Sequence, residues 1–357
     1  MTRSRTDEEQ AVMNGQRDVE ERSRPSAGDD THARSLGETG KRAAGVGLSS
    51  GLLEFERERL ALFARYGFEG ESRWVIDREG QSTYMIGRGE GSCPTVLIHG
   101  GLSQASEWAL LAGQLPGHVI IPDRPGCGLS YPIDYRNVDY RTAAAAWLLD
   151  LLDGIGVKQV DLVGNSMGGF FSMAFALAYP NRVRRLILPG APAGLDKHIP
   201  LFLRLWGNPI TGPLMTKLGI TIPPNAEALR KRVFATLLVA HPERVPLDVL
   251  KVVRAGMTSI PGAALTSYTI LRTVTNLRGW RPRLLMRDDM AHLPVPTLFL
   301  WGDADAFAPP SSGRDMAARM PNARIEVISG AGHLPYLDRP SAVADAIMNF
   351  FVHPETT

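Results

Sequence analysis

Residues 161–171 read DLVGNSMGGFF, an apolar run that stops at a serine flanked by small residues. Within it Gly164-Asn165-Ser166-Met167-Gly168 fits G-x-S-x-G, directly after the strand-like VDLV and before an apolar helical stretch that begins near Gly169. A tight strand-to-helix turn crowds the neighbours of its apical residue, so small residues are needed on both sides. The helix that follows presents unpaired N–H groups toward negative charge. Taken alone, the pattern fits a turn that merely packs a helix on a strand equally well. Its meaning depends on what the rest of the chain supplies.

Outward from this turn the chain alternates short β-branched runs with amphipathic stretches. PTVLIHGG, HVIIPD, VDLVGNS, RRLILPG, VPTLFLWGD and ARIEVISG read as buried strands, and RWVID with STYMIG as an edge hairpin. Helical patterns lie between several of them: EWALLAGQL, YRTAAAAWLLDLLDGIG, FFSMAFALAYP, SSGRDMAARM and the closing SAVADAIMNFF. Strand and helix in alternation predict an α/β fold with a mostly parallel, doubly wound sheet. Residues 191–291 break the rhythm with several prolines, helical stretches and no clear strand, and predict a mostly helical second layer inserted into the core, which is assigned to 51–190 and 292–357. Residues 1–50 mix charges with Ser, Gly and Thr, show no sustained periodicity and predict a disordered tail.

Composition narrows the function. A net charge of +2 over 357 residues gives no electrostatic reason to expect nucleic acid as the main partner. The two cysteines, Cys93 and Cys127, form neither CxxC nor a disulfide framework, so a reducing compartment is the default. There is no HExxH and no G-x-x-x-x-G-K-[ST], and no metal or other cofactor is expected. With no export-like segment at the start and no apolar run of about 18 residues, the expectation is a cytoplasmic protein without a membrane span, acting on a small molecule.

A serine hydroxyl is a weak nucleophile at neutral pH and needs a histidine to take its proton, which in turn needs a carboxylate to fix its tautomer. Of the eight histidines, His333 in GAGHLPYLDRP follows the last expected strand in a glycine-rich loop. WGDADAFAPP follows VPTLFL and offers Asp303 and Asp305, of which Asp303 better fits a capping role and Asp305 the catalytic one. The order Ser166, Asp305, His333, each at a separate strand end, is the order of one hydrolase fold. Oxyanion stabilisation is assigned to the backbone amides of Met167 and Gly101, with Leu102 the alternative donor if Gly101 only makes the turn. Trp108, Phe202 and Trp206 are candidate substrate contacts, each with a core-packing reading beside it. Asp123 and Arg124 in DRPGCGLS fit a structural turn and are left unassigned, and His99 is read as a brace of its loop.

On LIHGG, DRPGCGLS at 123–130, GNSMGG, WGDAD and GAGHLPYLDRP, the chain resembles the α/β-hydrolase superfamily with a helical cap, over roughly 70–353. The resemblance implies Ser166 as nucleophile, Asp305 as acid, His333 as base and residues 191–291 as the cap. It argues against the dehalogenases and epoxide hydrolases of this fold, which place an aspartate at the nucleophile position. GNSMGG is similar to the nucleophile motif of meta-cleavage C–C hydrolases, which usually carry a tryptophan after the catalytic histidine, whereas here Leu334 follows His333. Hydrolysis of a carboxylic ester or lactone is therefore the first expectation. C–C hydrolysis, a non-hydrolytic enzyme and a ligand receptor on the same scaffold are the alternatives.

Overall fold

The computed structural model describes residues 48–354 apart from Gly219, so the expected tail lies almost wholly outside the described residues. Ser50, placed in that tail by composition, instead starts a helix, α1 (Ser50–Arg65), whose Phe55, Leu62 and Phe63 are buried. Apolar residues at near-helical spacing form it.

Eight strands build one sheet in the order β1-β2-β4-β3-β5-β6-β9-β10. β1 (Glu71–Ile76) and β2 (Ser82–Arg88) pair antiparallel at one edge, as the hairpin pattern predicts, and β2 meets β4 (Val119–Pro122) antiparallel. From there every pairing is parallel, through β3 (Thr95–Ile98), β5 (Val160–Gly164), β6 (Val183–Pro189), β9 (Thr297–Gly302) and β10 (Ala323–Ile328). β3, β4, β5 and β9 are buried along their whole length, which explains why they read as continuous apolar runs rather than alternating ones. The one charge inside β5, Asp161, is buried and paired with Arg184 and Arg185. Helices α2 (Tyr140–Gly154) and α3 (Met167–Ala178) pack together against the sheet, with Tyr140, Trp147, Phe170 and Phe171 in edge or tilted ring contacts.

Residues 191–291 form α4 (Leu201–Trp206), α5 (Thr211–Lys217), a π-helical segment (Arg230–Leu238), α6 (Leu247–Thr258) and α7 (Ala263–Val274). Contrary to the strand-free expectation, they also hold a hairpin, β7 (Thr275–Asn276) with β8 (Gly279–Trp280). Two residues per strand are too few to show a period of two, so no alternation could reveal it. After β9 the chain adds α8 (Pro310–Ala317) and closes with α9 (Pro340–Val352).

Candidate active site

Strand β5 delivers Ser166 on a turn with φ 50° and ψ −113°, a left-handed conformation that L-residues adopt at a cost of order 1 kcal/mol or more. The small residues around it are dictated by contact. A Cβ on Gly168 would stand 2.0 Å from the carbonyl oxygen of Ile98, and one on Gly164 2.5 Å from the carbonyl of Gly168. Helix α3 thus lies directly against β3, with the serine raised at its N-terminus. The neighbouring Asn165 is buried, and its amide donates to the carbonyls of Pro189 (2.7 Å) and His333 (3.0 Å), tying the serine turn to the histidine loop.

His333 is 1% exposed, and its Nδ1 lies 3.0 Å from Asp305 Oδ1 and 3.1 Å from Oδ2. The two oxygens also accept backbone amides, Oδ2 from Ala191 at 2.8 Å and Oδ1 from Phe307 at 2.8 Å, so the carboxylate is held from two further sides. Phe307 stacks on the imidazole at 3.8 Å. His333 Nε2 is buried without a hydrogen-bond partner among the described residues. Asp303, two residues away, faces elsewhere. It accepts the amides of Gly330 and Ala331 and the Ser329 hydroxyl, which hold its carboxyl below the usual range, as its capping role predicts.

Ser166, His333, Gly101, Leu102 and Met167 line one cavity, whose empty space including its open mouth is about 1170 Å³. The amide of Met167 opens helix α3, where the first N–H groups have no intrahelical acceptor. Leu102, which also lines the cavity, has φ 58°, so the loop after His99 is strained at a non-glycine position. Helix α4 contributes Phe202, Leu203 and Trp206, and the π-helical segment and α6 add Val233, Phe234 and Met257 among other apolar side chains. Phe202 and Trp206, two of the candidate substrate contacts, therefore line the cavity. Trp108 does not: it is fully buried away from the cavity and stacks on Tyr336 with ring centroids 4.1 Å apart. Proximity in sequence to the oxyanion loop suggested a substrate contact, whereas the turn Ala105–Trp108 points the indole into the core.

The sequence reading missed the groups that hold the loop His99–Leu102, which carries the expected oxyanion donors. Glu107 is 3% exposed, and its Oε1 accepts the Gly100 amide at 2.6 Å and the Tyr336 hydroxyl at 2.8 Å. Burial pushes its carboxyl above the ordinary glutamate value. Arg124 Nε donates to the His99 carbonyl at 2.9 Å and its Nη2 to the Gly100 carbonyl at 2.6 Å. The Arg124 amide donates to His99 Nε2 at 2.9 Å, leaving the His99 Nδ1–H to the Gly100 carbonyl. Burial and the Arg124 charge keep His99 neutral, its pKa well below the usual value. A glutamate before a tryptophan and an arginine in a glycine-rich turn carry no sequence signal for this work, because only the fold brings them to the loop.

A strand-delivered serine and a carboxylate-bound histidine share a cavity that residues of the 191–291 segment also line, on a mostly parallel sheet. The sequence profile described as the Alpha/beta hydrolase family matches residues 95–346, and the chain belongs to that family. It is 30% identical over 270 residues to an uncharacterized protein of Mycobacterium tuberculosis, covering 73% of this chain and 76% of that one. It is 29% identical to a 2-hydroxymuconate semialdehyde hydrolase of Pseudomonas putida, over 77% of this chain and 92% of the relative. Among solved structures it is similar to an esterase of Thermogutta terrifontis, with a TM-score of 0.63, 25% identity and coverage of 80% of this chain and all of the other.

Proposed function

We propose that the protein is a cofactor-free serine hydrolase acting on a carboxylic ester or lactone with a largely apolar, uncharged acyl group. The observation that carries this reading is the state of His333: its Nδ1 is engaged by Asp305, while Nε2 is buried and unpartnered on the cavity that also holds Ser166. An imidazole so arranged can accept the serine proton and stabilise the resulting charge through the carboxylate.

In this mechanism Ser166 Oγ attacks the acyl carbon as His333 Nε2 takes its proton. The negative charge that develops on the carbonyl oxygen meets the amides of Met167 and Gly101. His333 then returns the proton to the departing alcohol, leaving an acyl group on Ser166. A water enters, gives its proton to His333 and attacks the acyl carbon. Collapse releases the acid, and the proton goes back to Ser166.

The cavity lining favours ester over C–C hydrolysis. Among the described residues it contains Glu107 and Asp196 and neither lysine nor arginine, so an anionic substrate finds no lysine or arginine counter-charge there. Hydroxymuconate-type substrates carry a carboxylate. The second reading, C–C hydrolysis, rests on GNSMGG and on the 29% identical P. putida relative. A panel of p-nitrophenyl esters of rising acyl length beside one ring-cleavage dienoate, run with wild type and Ser166→Ala, separates them. Serine-dependent ester turnover with untouched dienoate supports the esterase, rapid loss of the dienoate moves the protein to C–C hydrolysis, and full activity in Ser166→Ala would refute both.

A further inference from the structure

The cap carries an outer face that the proposed chemistry does not use. Eight of the eleven exposed large hydrophobic residues among those described lie between 201 and 277. Ile210, Leu214 and Leu218 are 81%, 55% and 62% exposed and recur every four residues from the N-cap to the C-cap of α5, so they form one exposed stripe. Leu201 is exposed on α4, the helix whose Phe202, Leu203 and Trp206 face the cavity, and Leu277 is exposed at the tip of the β7–β8 hairpin. Arg204 bonds the Leu277 carbonyl at 3.0 Å, joining helix and hairpin into one lobe.

The charge on this lobe is one-sided. Residues 197–226 and 249–287 contain no aspartate or glutamate and carry three and seven lysines or arginines, although the whole chain has a net charge of only +2. Lys217 precedes Leu218 and Arg278 follows Leu277, placing cations at the edges of the apolar residues. A surface recess where the turn Tyr135–Asn137 meets α7 and the residues after β8 is lined by Arg136, Arg272, Arg281 and Arg283 with Asn137 and Thr273. Arg136 is paired with Asp134, whereas no carboxylate stands at ion-pair distance from the other three among the described residues. Asp139, the other acid near this recess, accepts the Thr142 amide at 2.9 Å as the cap of α2.

Exposed leucines and isoleucines with cations beside them match one kind of surface, in which apolar side chains enter the acyl boundary while cations meet phosphate. We propose that this face of the cap docks on an anionic lipid bilayer. Among the described residues no helix is long and apolar enough to cross a membrane, so the attachment is peripheral. An uncharged interior would not be served by the arginine recess, whose planar donors suit the oxygens of a phosphate head group.

The test is flotation of the full-length chain with vesicles of phosphatidylcholine alone and with about one third phosphatidylglycerol, at low and high salt. The expected result is co-flotation with the anionic vesicles only, weakened by salt. Ile210→Ser/Leu214→Ser/Leu218→Ser and, separately, Lys217→Glu/Arg278→Glu should each reduce partitioning about tenfold or more while keeping the wild-type unfolding midpoint. None of these residues lines the cavity, and the readout is binding, so failure here is distinct from failure of the serine chemistry. Absence of flotation, or flotation untouched by both variants, overturns the proposal. Concentration-dependent dimerisation that is lost in the triple variant, without vesicle binding, also overturns it and assigns the stripe to a second copy of the chain.

Discussion

The hydroxyl of Tyr336 donates a 2.8 Å hydrogen bond to Oε1 of Glu107, the same atom that accepts the Gly100 amide at 2.6 Å. Tyr336 lies three residues beyond His333, so one buried carboxyl group joins the loop of the proposed general base to the loop of the proposed oxyanion donor. Two halves of a site contributed by distant segments are thereby kept in register.

Tyr336→Phe removes that link without opening a cavity, since only the hydroxyl is lost. If Glu107 acts by positioning, kcat on an ester should fall roughly 10- to 100-fold with little change in KM, because small misplacements of reacting groups carry penalties of this size. Steady-state kinetics on a soluble p-nitrophenyl ester give the answer. An unchanged kcat would reduce the contact to packing.

Glu107 also predicts a pH effect on stability. Burial raises its carboxyl pKa above the ordinary 4.5, so the folded state keeps this proton to higher pH than the unfolded chain does. The stabilising contribution is then fully present below pH about 4.5 and lost as pH rises through the folded-state value. Glu107→Gln lacks this titration. The difference in unfolding temperature, wild type minus Glu107→Gln, should therefore decline as pH rises from 4.5, and a difference that is flat or grows would contradict a raised value.

At the serine, strain and chemistry can be separated. Because Ser166 sits at φ 50°, Ser166→Gly relieves a conformation that Ser166→Ala retains, so the glycine variant should be the more stable by about 1 kcal/mol. Both should lose fluorophosphonate labelling. Chemical denaturation of the two variants checks the first statement and a labelling gel the second. Equal stability would mean that the turn is not strained.

Much of the fold and the proximity of the three expected catalytic residues were legible in the sequence, for a physical reason. Parallel strands buried on both faces read as uninterrupted apolar runs, and the residues at their ends cluster on one edge whatever lies between them. Gly164 and Gly168 signalled the turn because contacts of 2.5 Å or less exclude any side chain there. Glu107, Arg124 and Tyr336 were not legible, since their partners lie 7, 25 and 229 residues away and no local pattern encodes such pairings. Trp108 was misplaced because spacing from the oxyanion loop does not say which way a short helical turn points its side chains. The β7–β8 hairpin escaped because two-residue strands have no period.

The N-terminal helix supplies the last prediction. Arg59 on α1 and Asp123 after β4 form an ion pair of 2.6 Å with neither side chain exposed, and Arg59 also donates to Gln104 Oε1 at 3.1 Å. Gln104 in turn donates to the Val252 carbonyl on α6 at 3.3 Å, so a buried polar chain runs from α1 past the loop His99–Leu102 to α6. Asp123 further accepts the amides of Ala105 and Leu129, each at 2.9 Å. Arg59→Met would leave that carboxylate buried without its cation, a loss expected to cost about 3–5 kcal/mol. Adding Asp123→Asn removes the stranded charge while an amide oxygen can still accept one of the backbone donors, so the double variant should recover at least about 1 kcal/mol over simple additivity. Urea unfolding of the two single variants and the double variant measures this coupling. Strict additivity would mean that the pair does not act as a unit.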